Sequence, residues 1–162
     1  MNYKRLVLAL LILLLIDSRL LWGGDNGGGG ITVHGAGTSI LTGGGLQTTP
    51  VITKLGINFE NGSGHFDCLA LMPTPPAGTE GSGTFDNNIM YVTGPITTAS
   101  LQGQSAVLTG TATVTGLGAG TNRPFTVTAD RGGPGAKVVL VVSGQTFVET
   151  LLEGSISFPG GE

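Results

Sequence analysis

From Ile31 onward the chain alternates apolar and polar residues with period two, and this alternation limits what it can fold into more than any other feature. Successive side chains of a strand leave opposite faces, so a run of this kind forms a strand with one dry and one wet side. The run 106–115 shows it best. Ala106, Leu108, Ala112 and Val114 fall on one face, and Thr109, Thr111, Thr113 and Thr115 on the other. Phe125, Val127 and Ala129 alternate with Thr126, Thr128 and Asp130 in the same way, as do Leu55, Ile57 and Phe59 with Gly56, Asn58 and Glu60. Such patterns belong to antiparallel sheets with one solvated face. The 30 glycines argue the same way, because glycine in a helix interior costs roughly 1 kcal/mol against alanine, whereas turns and bulges use it.

Turn signals divide the alternation into strands. Asn61-Gly62 is the pair favoured in a two-residue type I′ hairpin. Further loops are expected at 116–121, at 130–136 with its Gly-Gly-Pro-Gly, and at Ser143-Gly144, with a longer surface connection over 73–88. Strands are expected at 31–41, 51–60, 64–72, 89–92, 96–101, 105–115, 124–130, 137–142, 145–152 and 155–158. Short connections between sequential strands favour an all-β antiparallel meander, and a meander of this length hides its edges by closing into a small barrel. A two-sheet sandwich is the alternative. Residues 138–142 are apolar on both faces, so that strand expects a cover from the long loop, a partner or an N-terminal segment.

Ahead of the domain, Lys4 and Arg5 precede an unbroken apolar run, 6–16, that stops at Asp17, Ser18 and Arg19. This is the layout of a signal peptide, and the run is shorter than the roughly 20 residues of a membrane-spanning helix. Residues 1–24 are read as a signal or N-terminal anchor helix, 25–30 as a Gly-rich tether and 31–162 as one β domain. The expected location is extracellular or secreted, tethered to the surface if the signal stays uncleaved. Membrane contact is then expected only through that N-terminal segment.

Charge narrows the partners. The net charge is −3, and beyond the leader the basic residues are Lys54, Arg123, Arg131 and Lys137, too scattered to neutralise a run of phosphates. Nucleic acid is not an expected partner. The lone Cys68 rules out an intrachain disulfide. The glycines 27–30 and 43–45 lack the Lys-Ser/Thr and the following helix of a phosphate loop, and Asn61-Gly62-Ser63, though a glycosylation sequon, is explained by its turn.

The order of features from Gly43-Gly44-Gly45 and Leu55-Gly56-Ile57-Asn58-Phe59 through Thr109-Gly110-Thr111-Ala112-Thr113-Val114, then Phe125-Thr126-Val127-Thr128 and Asp130, resembles the post-COAP-1 family of bacterial extracellular domains. The resemblance covers most of residues 31–158 and implies a fold and a location. It brings no catalytic residue with it. One departure is the Gly-Pro-Gly turn, which is followed here by Lys137 and Val138 where that family tends to have an acidic residue and an aromatic one.

Candidate chemistry is sparse. His65 and Asp67 share a strand face and form half of a metal site if His34 or Glu60 joins them across strands, although no standard ligand spacing is present. A Cys68 nucleophile with His65 or His34 as base meets a geometric obstacle, since residues three apart on a strand leave opposite faces and Cys68 shares its own with Phe66 and Ala70. Glu149, Glu153, Asp86 and Glu80 read as solvated charges. The rows Thr109, Thr111, Thr113 and Thr115 beside Thr126 and Thr128 offer a hydroxyl and methyl surface for ice or polysaccharide, although threonine also favours the wet side of strands for stability alone. No cofactor is expected. The leading expectation is a noncatalytic exported binding module whose partner is a cell-surface glycan, a small ligand or another extracellular protein. The alternatives are a secreted hydrolase or metal-dependent enzyme using His65 and Asp67, and a barrel that holds a small ligand.

Overall fold

The computed structural model describes residues 30–43, 50–74 and 84–159. It contains β1 (Val33–Gly43), β2 (Ile52–Glu60), β3 (Ser63–Thr74), β4 (Thr84–Gln102), β5 (Ser105–Gly116), β6 (Gly120–Asp130), β7 (Lys137–Val142) and β8 (Gln145–Ser157). Each strand pairs antiparallel with the next, and β8 returns to β1, so the eight strands form a closed meander barrel. The alternative of two facing sheets does not form. The signal or anchor segment and the tether up to position 29 lie outside the described residues.

The turns follow their chemistry. Asn61 and Gly62 both have positive φ, 52° and 86°, as a type I′ hairpin requires, and Ser143 and Gly144 repeat this at 52° and 75°. Two other expected breaks are absent. Residues 89–92 and 96–101 belong to the single long strand β4, and 145–152 and 155–157 to β8. The gap expected between 92 and 96 contains Gly94-Pro95, yet Gly94 stays in register with Phe66 and Pro95 with His65, and the irregularity is confined to a register shift between Ile96 and Thr98. In β8, Gly154 at φ 93° accompanies a register shift against β1 between Thr38 and Ser39. Glycine in these strands bends the ladder without ending it. The long connection shortens too, because β3 continues to Thr74 and β4 starts at Thr84, leaving 75–83 outside the described residues.

An eight-stranded barrel has an interior about wide enough for side chains to fill. Here Val33, Phe66, Val92, Ile96, Leu108, Val127, Leu140 and Leu151 are among the residues buried inside it. The rings of Phe66 on β3 and Phe125 on β6 lie 5.3 Å apart, although β4 and β5 separate their strands around the wall. Contact across the lumen means that it is packed. Inward glycines make room for these rings: Phe59 pairs with Gly64, Phe66 with Gly94 and Phe125 with Gly110. A Cβ at Gly110 would collide with the Pro95 carbonyl and come within 2.9 Å of the Phe125 ring. Large and small residues thus alternate across neighbouring strands, as a narrow barrel demands.

The outer wall is mainly polar, with His34, Lys54, Asn58, His65, Thr111, Thr113 and Thr115 exposed. An apolar interior inside a polar wall is the reverse of a barrel built to face lipid. On β7, which is apolar on both sides, Val139 is half-buried and Val141 remains 40% exposed.

Candidate functional site

The residues singled out by sequence fall into separate places. His65 and Asp67 share the outer wall of β3, with Nε2 and Oδ2 3.5 Å apart and both side chains about half exposed. Thr93 lies 2.9 Å from the same imidazole nitrogen, and the Tyr91 hydroxyl donates to Asp67 at 2.8 Å. Partial burial pulls the Asp67 carboxyl upward, but hydrogen bonds from Thr93 and Tyr91, together with the nearby imidazole, outweigh this and hold it below its ordinary value. His34 is exposed two strands away, with Asn58 between it and His65 in the register, a separation of roughly 10 Å at ordinary strand spacing. Glu60 lies further along β2, opposite Ser63. Among the described residues no group of three or more His, Cys, Asp or Glu is placed to hold a metal ion. The pair sits on a convex wall and does not converge with His34 in a pocket.

Cys68 points the other way, into the lumen, so the barrel wall separates its sulfur from the His65 ring. Burial pushes the thiol well above its usual range, and the carboxyls of Glu149 and Asp67 add to the effect. A thiol kept protonated is a poor nucleophile. Cys68 is therefore expected to resist thiol reagents such as iodoacetamide in the native protein and to react fully once the chain is unfolded. Mass spectrometry before and after denaturation checks this, and fast native labelling would show a barrel that opens locally.

Glu149 corrects an expectation. It was expected to be a solvated charge, but it is only 2% exposed, with Ser39 and Thr53 equally buried beside it. Both hydroxyls donate to its Oε2, and they also touch each other. The cluster spans β8, β1 and β2, across the seam that closes the barrel. Burial raises the carboxyl above its ordinary value of 4.5, although the two hydroxyl bonds pull against this. Glu149 and Thr53 also border a recess at the barrel end, lined by Leu41, Val51, Met90 and Leu117 among others, with about 10 Å³ of room. That is space for roughly one water molecule. Glu153, in contrast, is exposed as expected and accepts a hydrogen bond from Thr38 at 2.6 Å, and Asp86 is exposed too. Glu80 lies outside the described residues.

Thr109, Thr111, Thr113, Thr115, Thr126 and Thr128 all face outward or lie half-buried on the outer wall. Thr109 pairs with Thr126, and its hydroxyl meets that of Thr98 at 2.5 Å. Thr113 pairs with Thr93, whereas Thr111 faces Pro124, Thr115 faces Tyr91 and Thr128 faces Val107 on one side and Val139 on the other. The array is thus interrupted by other residue types and follows a curved wall.

A site that the sequence reading missed arises from unequal strand lengths. β7 pairs with β6 only from Phe125 to Ala129, so the first part of β6, from Gly120 to Pro124, runs on beside β5 alone. A cleft of about 430 Å³ opens there, bordered by Arg123, Pro124, Thr126, Val141, Ser143 and Gly144 over the buried Phe125 and Val142. Its volume is within the usual range for small-molecule sites. The Ser143 hydroxyl donates to the Gly118 carbonyl at 2.8 Å and ties the two sides together at the barrel end. Early termination of β7 after Val142 is visible in the Ser143-Gly144 turn. The mismatch with β6 depends on pairing and is not visible in any local motif.

These features define an eight-stranded antiparallel meander barrel with a packed interior, a buried carboxyl at its seam and an open cleft in its outer wall. No family model, curated protein or solved structure matches the chain.

Proposed function

We propose that the protein is an exported, noncatalytic binding module that engages a cell-surface glycan through its outer wall. The observation that carries this reading is the packed lumen: Phe66 and Phe125 meet across it, so the volume able to take a ligand is outside, in the cleft beside β6. The hydroxyl-rich wall supports the choice of partner, because a sugar is recognised by a few placed polar groups beside small apolar surfaces. Export follows the signal-like leader, and the post-COAP-1 resemblance is in keeping with it.

The test is saturable binding of the exported protein to a glycan array and to intact cells, followed by recovery of the bound glycan. Binding with the glycan recovered unchanged is the expected result. Absence of binding on both supports, or the appearance of new reducing ends on the recovered sugar, would overturn the reading.

A further inference from the structure

We infer that the cleft beside β6 binds a carboxylate-bearing sugar, a uronic acid residue of an acidic polysaccharide. The inference rests on the binding-module reading and assigns it a site and a ligand class.

Arg123 supplies the charge. The Arg123 side chain is exposed on the cleft wall and its hydrogen bond runs to a backbone carbonyl, although the chain as a whole is acidic. The guanidinium donates this bond from Nη2 to the Ala119 carbonyl at 3.1 Å, which anchors the side chain and leaves most of its donor fork unused. Gly120 permits this posture, because a Cβ there would run into the guanidinium. An anchored, exposed guanidinium on a cleft wall is suited to bidentate recognition of a carboxylate.

The rest of the cleft suits a pyranose ring. Pro124 and the 40%-exposed Val141 offer apolar surface for its C–H face, and the hydroxyls of Thr126 and Ser143 border the same space. An extended peptide fits less well, because the free edge of β6 is unsuited to adding a strand. Pro124 has no N–H to donate, and Asn122, at φ 53°, breaks the extended backbone.

Calorimetric titration of the full protein with oligogalacturonate and with alginate oligomers tests the inference, with methyl-esterified oligogalacturonate as the uncharged control. At least one acidic oligomer is expected to bind, at least ten-fold more tightly than the ester, and the affinity should fall as salt is raised. Arg123→Gln should weaken binding at least ten-fold, and Val141→Trp, which fills the cleft from an exposed position, should abolish it. Equal binding of the acidic and esterified oligomers, or full affinity in both variants, would overturn the uronate assignment while leaving a glycan-binding module in place. Failure of both acidic oligomers alongside array binding of neutral glycans would also overturn it. Loss of all array and cell binding would instead overturn the broader reading.

Discussion

Replacing Phe66 by alanine is expected to cost about 3–5 kcal/mol of unfolding free energy, read as a fall in the denaturant midpoint with little change in slope. The ring is 1% exposed and packs on Phe125 across the lumen, so its removal leaves a void lined by side chains from opposite walls. The paired Gly94 cannot fill that void by mutation, because a Cβ there would strike the Thr111 carbonyl. Since a domain of this size is stable by only about 5–15 kcal/mol, the loss is a large share of the total. The double variant Phe66→Ala, Phe125→Ala should lose less than the sum of the single ones, as the two rings lose the same contact. A cost below roughly 1 kcal/mol for Phe66→Ala would mean that the lumen is not packed as described.

The second large effect concerns Glu149, whose substitution by glutamine should stabilise the protein at neutral and mildly alkaline pH. Burial raises this carboxyl, so the folded state favours its protonated form. A raised folded-state value gives stability that is full below the unfolded value and is lost as pH rises through the folded one. The wild type should therefore lose stability on going from mildly acidic to alkaline pH. Glutamine is nearly isosteric, can still hydrogen-bond Ser39 and Thr53, and cannot ionise. The gain is expected to be on the order of 1–3 kcal/mol at pH 8, shrinking towards zero near pH 4. Thermal midpoints of both proteins across this range measure it. Asp67 acts in the opposite sense, because its lowered value contributes stability above its ordinary 3.8 that disappears as pH falls. Parallel pH curves for wild type and Glu149→Gln would contradict the buried-carboxyl account.

Much of this fold is legible in the alternation itself. The inward parity of Ala106, Leu108, Ala112 and Val114 is what the barrel uses, and Asn61-Gly62 makes the expected hairpin. The two misplaced breaks share a cause. Gly94-Pro95 and Gly154 carry the local chemistry of turns, but pairing with β3 keeps the first in the ladder and pairing with β1 keeps the second, and that pairing cannot be seen in a local window. The inward glycines have the same origin, since Gly94 and Gly110 answer to Phe66 and Phe125 on adjacent strands.

For the sites the lesson differs. Glu149 lies between Phe147 and Leu151 at the inward parity, Ser39 shares its parity with Val33, and Thr53 lies between Val51 and Leu55. Period two alone therefore placed all three inside the barrel, and the assumption that a carboxylate prefers water hid the signal. The face argument for Cys68 and His65 needed no three-dimensional information and agrees with the structure. Arg123 carried no signal, because the cleft depends on β7 stopping short of β6.

The central claim is that the outside of this barrel does the binding while the inside only holds it together. Cell-surface binding of wild type, Glu149→Gln and Val141→Trp, compared at equal concentration, tests it most directly. Full binding by Glu149→Gln and loss of binding by Val141→Trp is the predicted result, whereas loss on changing the interior residue with retention on blocking the outer cleft would contradict it.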